Sequence, residues 1–498
     1  ALLAPTGPLS DVALGLILRY RGPLDVPYER LPGVERGTVR HAGCLERTEM
    51  GRAGAQADQP MTNHIKREEP LMSLLRSALL GMPVIVALLW SAPPVLAQWT
   101  AMNRGSENIE VLGHLPLGAH LNVSDMDVEQ ELSRPYVYVS RMVWGPTGTK
   151  GMDIISIEDP SHPERIYEWR IQDPDLHVGT GGMDVKHFKI NGRYYVVQSL
   201  QFRQGGPDPD LGAVVLDVTG LPDVSTVREV GEIREPLLPG GFHNIFVYKH
   251  SDGRVLLFTT VSGPYAHVYD LGRVVDGASA EEALVGRVPV GLTEGGQGGY
   301  HDMYVAYHPD TDQDRFYGGG TGGYYVYNVT DPANPELEIS LTGIRGIEYG
   351  HTFTPSPDGR YVVAEVEYRY APLRIFDLQP ALDGRVTNIN RPVSGWTADY
   401  QNLVHNHEVR WPLVFASSYL DGLTIFNLQD PANPQTVGYY DTYIGVRTQD
   451  RCPECNGAFG VDVRNADGLI LISDMSTGLW TFKMEGFQGW NGEQWGMP

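Results

Sequence analysis

Four histidines recur at one position in a repeating chain. They are His243 in F-H-N-I-F, His301 in Y-H-D-M-Y, His351 in G-H-T-F-T and His405 in V-H-N-H-E. Successive separations are 58, 50 and 54 residues. Neutral imidazole is a good donor for copper, iron, zinc or nickel, so four rings converging on one point would form a transition-metal centre. A coordination position left open there would serve substrate or oxygen. His407 and Glu408 follow His405 closely and could add a ligand or brace the others. Asp302, Glu365 and Glu367 are the acidic residues placed to orient ring N–H groups.

Two other readings of these residues stay open. A histidine that opens a strand often only satisfies nearby backbone groups; Gly350-His351 resembles the Gly-His pair of WD-repeat blades, whose histidine bonds within its own blade. Alternatively the cluster contacts a ligand without metal. A second constellation, Tyr300, Tyr349 and Arg345 with Glu348, lies near the same histidines. There a histidine or tyrosine could take the α-proton of a uronate while Arg345 neutralised its carboxylate, which is lyase chemistry. Tyrosine is also simply abundant here, at 26 residues, and favours strands, so the grouping could arise without function. The glycine-rich pieces at 295–300 and 318–325 precede no helix that could hold a phosphate, and read as loops and tight turns between strands.

The elements that must position these residues are repeats. MDIISI at Ser156, AVVLDV at Asp217, AHVYDL at Asp270 and YYVYNV at Asn328 share one pattern with LRIFDL at Asp377, LTIFNL at Asn427 and LWTFKM at Lys483. Their separations are 61, 53, 58, 49, 50 and 56 residues. Each unit reads as four short strands with turn signals such as Asp421-Gly422 and DPANP between them. This is the pattern of an all-β, single seven-bladed β-propeller with four-stranded blades over 108–484. The last unit stops at its third strand, so Asn108–Leu117 (NIEVLGHLPL) is expected to complete it and close the ring. In a propeller the first strand of each blade lines the central channel, so the four histidines would ring one mouth, from blades three to six.

The run DGLTIFNLQDPANPQTVGYYDTY around Asn427, and GGYYVYNVTDPANP around Asn328, resemble LVIVD-repeat propellers. The stretch from His405 through NGAFGV and ILISDMSTGLW to Met484 is similar to the C-terminal part of the choice-of-anchor B group. The resemblance implies a secreted bacterial propeller and says little about activity. Carotenoid cleavage oxygenases are similar in one respect only, an iron held by histidines from separate blades with glutamates around them; the chain shows no sequence match to them.

Composition adds limits. Lys plus Arg is 38 and Asp plus Glu 61, a net charge of −23 that repels nucleic acid and anionic membranes. Residues 1–71 show no repeat and read as a non-native or untranslated leader. From Met72 the chain reads as a signal peptide over 72–97. Arg76 comes first, then an apolar run from Leu79 to Trp90, then Val95-Leu96-Ala97 before Gln98. The apolar run is too short for a stable membrane span. Cys452 and Cys455 would form a local disulfide in an oxidising compartment, and 485–498 is a tail. The expectation is a secreted or periplasmic propeller with a copper, iron or zinc ion at His243, His301, His351 and His405. It would act as a metal-dependent oxidoreductase on a small-molecule or saccharide ligand at the channel mouth. A non-catalytic binding propeller and a polysaccharide lyase are the alternatives.

Overall fold

The sixth unit shows how the sequence makes a blade. Strands Asn406–Arg410, Leu413–Ser417, Leu423–Asn427 and Gln435–Tyr440 pair antiparallel in chain order. Gly422 turns the second strand into the third at φ +70°, a conformation that a Cβ disfavours. After the third strand, DPANP folds back on itself. Asp430 accepts from Ala432 N at 3.1 Å and from Asn433 Nδ2 at 2.7 Å, and its prolines donate nothing to a ladder. Asp331, Ala333 and Asn334 build the same turn in blade four. One sequence motif is thus one turn used twice.

The computed structural model describes residues 104–491 apart from 146, 203–205, 292–297, 400–402 and 444–454. Seven four-stranded antiparallel sheets form the ring of a β-propeller. Strand Ile109–Leu115 pairs with Gly478–Met484, Ile109 opposite Met484 and Leu115 opposite Leu479, so the last blade borrows its outer strand from the start of the repeat region. That is the closure the strand count requires. The described residues belong to one compact unit.

The core lies between adjacent blades. Phe258 of blade three and Phe316 of blade four pack with ring centroids 5.8 Å apart, both fully buried. Each such side chain contributes about 1.5–3 kcal/mol through burial. Helices are few and short, as Leu271–Val275 and Gln379–Leu382 show, and no helix among the described residues is long and apolar enough to cross a membrane.

Two expectations need adjustment. Gly318, Gly319 and Gly320 are not in a loop but form the end of strand Gln313–Gly320, where the Tyr300 and Phe316 rings stand too close to Gly318, and neighbouring main chain too close to Gly319 and Gly320, for a Cβ. The segment after Met484 is not wholly a free tail. Phe487 packs on Phe415 at 5.1 Å and Trp490 N donates to Asn465 O at 2.9 Å. The leader, the signal peptide, Cys452 and the chain beyond 491 lie outside the described residues.

Candidate metal centre

Each of the four histidines sits where the inner strand of its blade begins. His301 is the second residue of Tyr300–His308, and His405 immediately precedes Asn406–Arg410. His243 and His351 lie two residues before Ile245–Lys249 and Phe353–Pro355. Ladder hydrogen bonds run past the strand ends and hold them. His351 N donates to Glu365 O at 2.9 Å, and His405 N to Ser417 O at 2.8 Å.

The rings form a chain from blade to blade. Centroids are 4.5 Å apart for His243–His301, 4.1 Å for His301–His351 and 5.2 Å for His351–His405. All three neighbour pairs are close enough to address one region. The tightest group is His301, His351 and Glu367, whose ligand atoms lie within 4.8 Å of one another and could hold a metal ion. Glu367 Oε2 stands 4.0 Å from Nε2 of both histidines. The sequence reading placed Glu367 behind the histidines; the structure puts its carboxylate among them, and Tyr419 fixes it by donating a hydrogen bond to Oε1.

The surrounding contacts set the tautomers. His405 Nδ1 is 2.8 Å from Phe459 O, which can only accept, so Nδ1 carries the hydrogen and Nε2 the lone pair. His243 Nδ1 lies 3.2 Å from Gln201 Oε1. His351 Nδ1 meets Thr352 Oγ1 at 2.9 Å and Glu365 Oε1 at 3.4 Å. Among the described residues its Nε2 is buried with no hydrogen-bond partner, an orphaned lone pair facing the carboxylate of Glu367. A buried polar atom left so costs about 1–3 kcal/mol unless something binds it. Glu365 bridges onward, with Oε2 3.2 Å from His407 Nδ1. Nδ1 of His405 tied to a carbonyl and Nδ1 of His407 tied to a carboxylate are the kind of outer-shell contacts a metal site uses.

Electrostatics agree with that chemistry. Burial, with further repulsion from His301, His405 and His407, holds the His351 imidazole well below its ordinary range. Burial likewise takes His405 and His407 down to about 3. These three rings are therefore neutral at physiological pH, the ligating form. Glu365 is pushed well above the usual carboxylate range by burial, then by Glu367 and Asp302. Burial raises Glu367 to about 7 against the pull of the Tyr419 hydrogen bond. A divalent cation would reverse both carboxyl shifts.

Other candidates lie elsewhere. Asp302 turns into the central channel, where Thr352 Oγ1 is 3.1 Å from its Oδ2, so it reaches His351 only through that hydroxyl. Glu408 also faces the channel, tied to Arg410 at 2.7 Å, and does not brace the centre. Tyr300 is a correction: it is buried between blades three and four and its hydroxyl donates to Pro289 O. Arg345 is exposed, and only Tyr349 approaches the histidines, 5.8 Å from the His301 ring. The lyase trio is therefore not assembled. Cys455 is disulfide-bonded and borders the cavity at the centre.

Two cavities meet these residues. A small one of about 20 Å³ is lined by His243, His301, His405 and Glu367, with Met183 and Tyr419 among its other walls. A larger one of about 260 Å³ fills the central channel between Asp125, Asp184, Asp302, Lys186 and Arg410. Tyr419 escaped the sequence reading; it holds φ +38°, unusual for tyrosine, and nothing in its sequence context announces that. No protein-family model matches the chain, and no curated protein does either. What the geometry defines is a seven-bladed propeller with a buried His/Glu cluster at one end of the channel.

Proposed function

We propose that the protein is a metal-dependent oxidoreductase whose ion is held by His301, His351 and Glu367, with His243 and His405 beside them. The observation that carries this is the mutual approach of three ligand atoms within 4.8 Å, around a buried His351 Nε2 that no other described group satisfies. Two histidines and one carboxylate are the donor set of non-haem iron(II) oxygenases, so iron is favoured over copper and zinc. Such an ion supplies Lewis acidity or redox chemistry at an open position. The chain's own part is to keep the His351 and His405 imidazoles neutral, to hold Glu367 with Tyr419 and to line the open side with apolar groups. The repeat pattern supports export as an LVIVD-type propeller with a mature end near Gln98, which mass spectrometry of the native protein would test.

The decisive experiment is metal analysis of the purified full chain beside His301→Ala. About one equivalent of a transition metal in the wild type, lost in the variant while the fold persists by circular dichroism, is the expected result. A metal-free wild type that also fails to take up iron(II), copper or zinc would sink the proposal and leave a binding propeller.

A further inference from the structure

The small cavity at the histidine cluster has two kinds of wall. One carries His243, His301, His405 and Glu367; the other carries Trp144, Met183, Tyr419, Phe459 and Met475. The second wall is tightly packed, since Met183, Tyr419 and Met475 are each at most 2% exposed. The volume, about 20 Å³, is little more than the ~10–15 Å³ needed for one water-sized occupant.

Polar groups at the rim are already committed. The Tyr419 hydroxyl donates to Glu367, His405 Nδ1 to Phe459 O, and His243 Nδ1 sits on Gln201 Oε1. A hydroxyl-rich ligand would have to break these bonds or bury its own hydroxyls unpaired, and discrimination of that kind is steep. A carboxylate would have to shed its hydration inside an apolar wall, beside the Glu367 carboxyl, and would meet a chain of net charge −23 at long range.

We infer that the open side of this centre admits a neutral, apolar molecule of about one or two heavy atoms and excludes saccharides and carboxylates. This rests on the metal-centre reading above and names the substrate class for it. It also separates this site from a saccharide-binding propeller mouth, which needs an open, hydrogen-bonding groove.

Isocyanides give a ruler for the test, because the ligating carbon stays the same while the bulk behind it changes. The full chain is first loaded with cobalt(II), and uptake is measured. Methyl isocyanide, tert-butyl isocyanide, azide and galacturonate are then titrated against the visible spectrum of the bound ion. Methyl isocyanide should bind at least about tenfold more tightly than the tert-butyl compound, the scale on which pockets discriminate by size. Azide should bind more weakly than methyl isocyanide, and galacturonate should leave the spectrum unchanged. Met183→Ala and Met475→Ala should each narrow the isocyanide ratio by admitting the larger probe. Equal affinity for the two isocyanides, or a spectral response to galacturonate, would overturn the size and polarity limit while leaving the metal centre standing. A chain that takes up no cobalt fails before any probe is added, which overturns the centre itself and this inference with it.

Discussion

Gly319 lies in the second strand of blade four, opposite Asp302 and thus beside His301. A Cβ built on it would stand 1.7 Å from the carbonyl oxygen of His351 in the next blade and 2.7 Å from its carbonyl carbon. Real Cβ contacts essentially never fall below 3.0 Å, so Gly319→Ala must drive the two backbones apart by about 1.3 Å. No flexible side-chain tip can absorb this, because the obstacle is main chain. Overpacking of this kind costs about 1–3 kcal/mol. In a propeller of this size that is a fall in Tm of roughly 1–2 °C per kcal/mol. The same displacement is several times the ~0.2 Å tolerance of a metal–ligand bond, and it acts directly on the His351 backbone. Metal affinity should therefore fall by at least about tenfold, and by a hundredfold if the ring cannot swing back. Gly286→Ala is the matched control. Its Cβ would meet Pro332 O at 1.9 Å, a comparable main-chain clash at the outer strand of blade three. Calorimetry and cobalt(II) titration on both variants separate the effects. Both should lose stability, and only Gly319→Ala should lose metal affinity. A Gly319→Ala protein that binds metal like wild type, or equal affinity losses in both variants, would refute the link between this glycine and the centre.

His187 faces Asp127 in the central channel, with Glu129 and Asp462 nearby. Burial pulls its imidazole down, but the charge and hydrogen bond of Asp127 outweigh that and hold it at about 8, against 6.5 unfolded. The folded state binds this proton more tightly, so the stabilisation is complete below pH 6.5 and is lost as pH rises through 8, a difference of about 2 kcal/mol. Denaturant titrations of wild type and His187→Gln at pH 6 and pH 9 should show the stability gap shrinking by that order; a gap independent of pH would contradict it. Ring closure gives another expectation. Deleting residues 104–116 removes the partner of Gly478–Met484 and leaves Trp480 and Phe482 without cover, so Tm should drop by roughly 10 °C or more, and an unchanged melting curve would dismiss the closure.

The ring was legible because every blade repeats the same local chemistry. Seven strand signatures, paired turn motifs and one missing fourth strand leave a propeller closed by the chain's earlier segment as the simplest solution. The register of the four histidines was legible for the same reason. What the linear pattern hid was direction. His301 is the extra residue of a β-bulge, between the pairs Tyr300–Gly320 and Asp302–Gly319, so it turns to the centre while Tyr300 enters the core between blades. Nothing in the linear pattern marks that bulge, and it separates the two residues that the sequence groups as catalytic partners. Glu365 and Glu367 are harder. They share a parity, yet Glu365 serves His351 and His407 while Glu367 joins the ligand atoms, a division set by Tyr419 reaching over from blade six. Gly319 was read as a loop residue because its reason, a carbonyl from another blade, lies 32 positions away in the chain.

The fold alone does not need this cluster. Met183 and Phe459 border the same small cavity from blades two and seven, so the rim accepts apolar side chains where it carries no histidine. In blades three to six it instead buries His243, His351, His405, His407, Glu365 and Glu367, each at most 9% exposed. Burying an ionised carboxyl costs several kcal/mol, and the pair responds by shifting toward the protonated form. The His351, His405 and His407 imidazoles respond by staying neutral, which leaves His351 Nε2 with no hydrogen-bond partner among the described residues. A bound cation offsets these costs together: it takes the free lone pair, compensates Glu367 and, through His351 and His407, gives Glu365 two N–H groups to accept from. Metal-free protein should on this argument be the less stable form, and loading should raise Tm with the logarithm of free metal concentration.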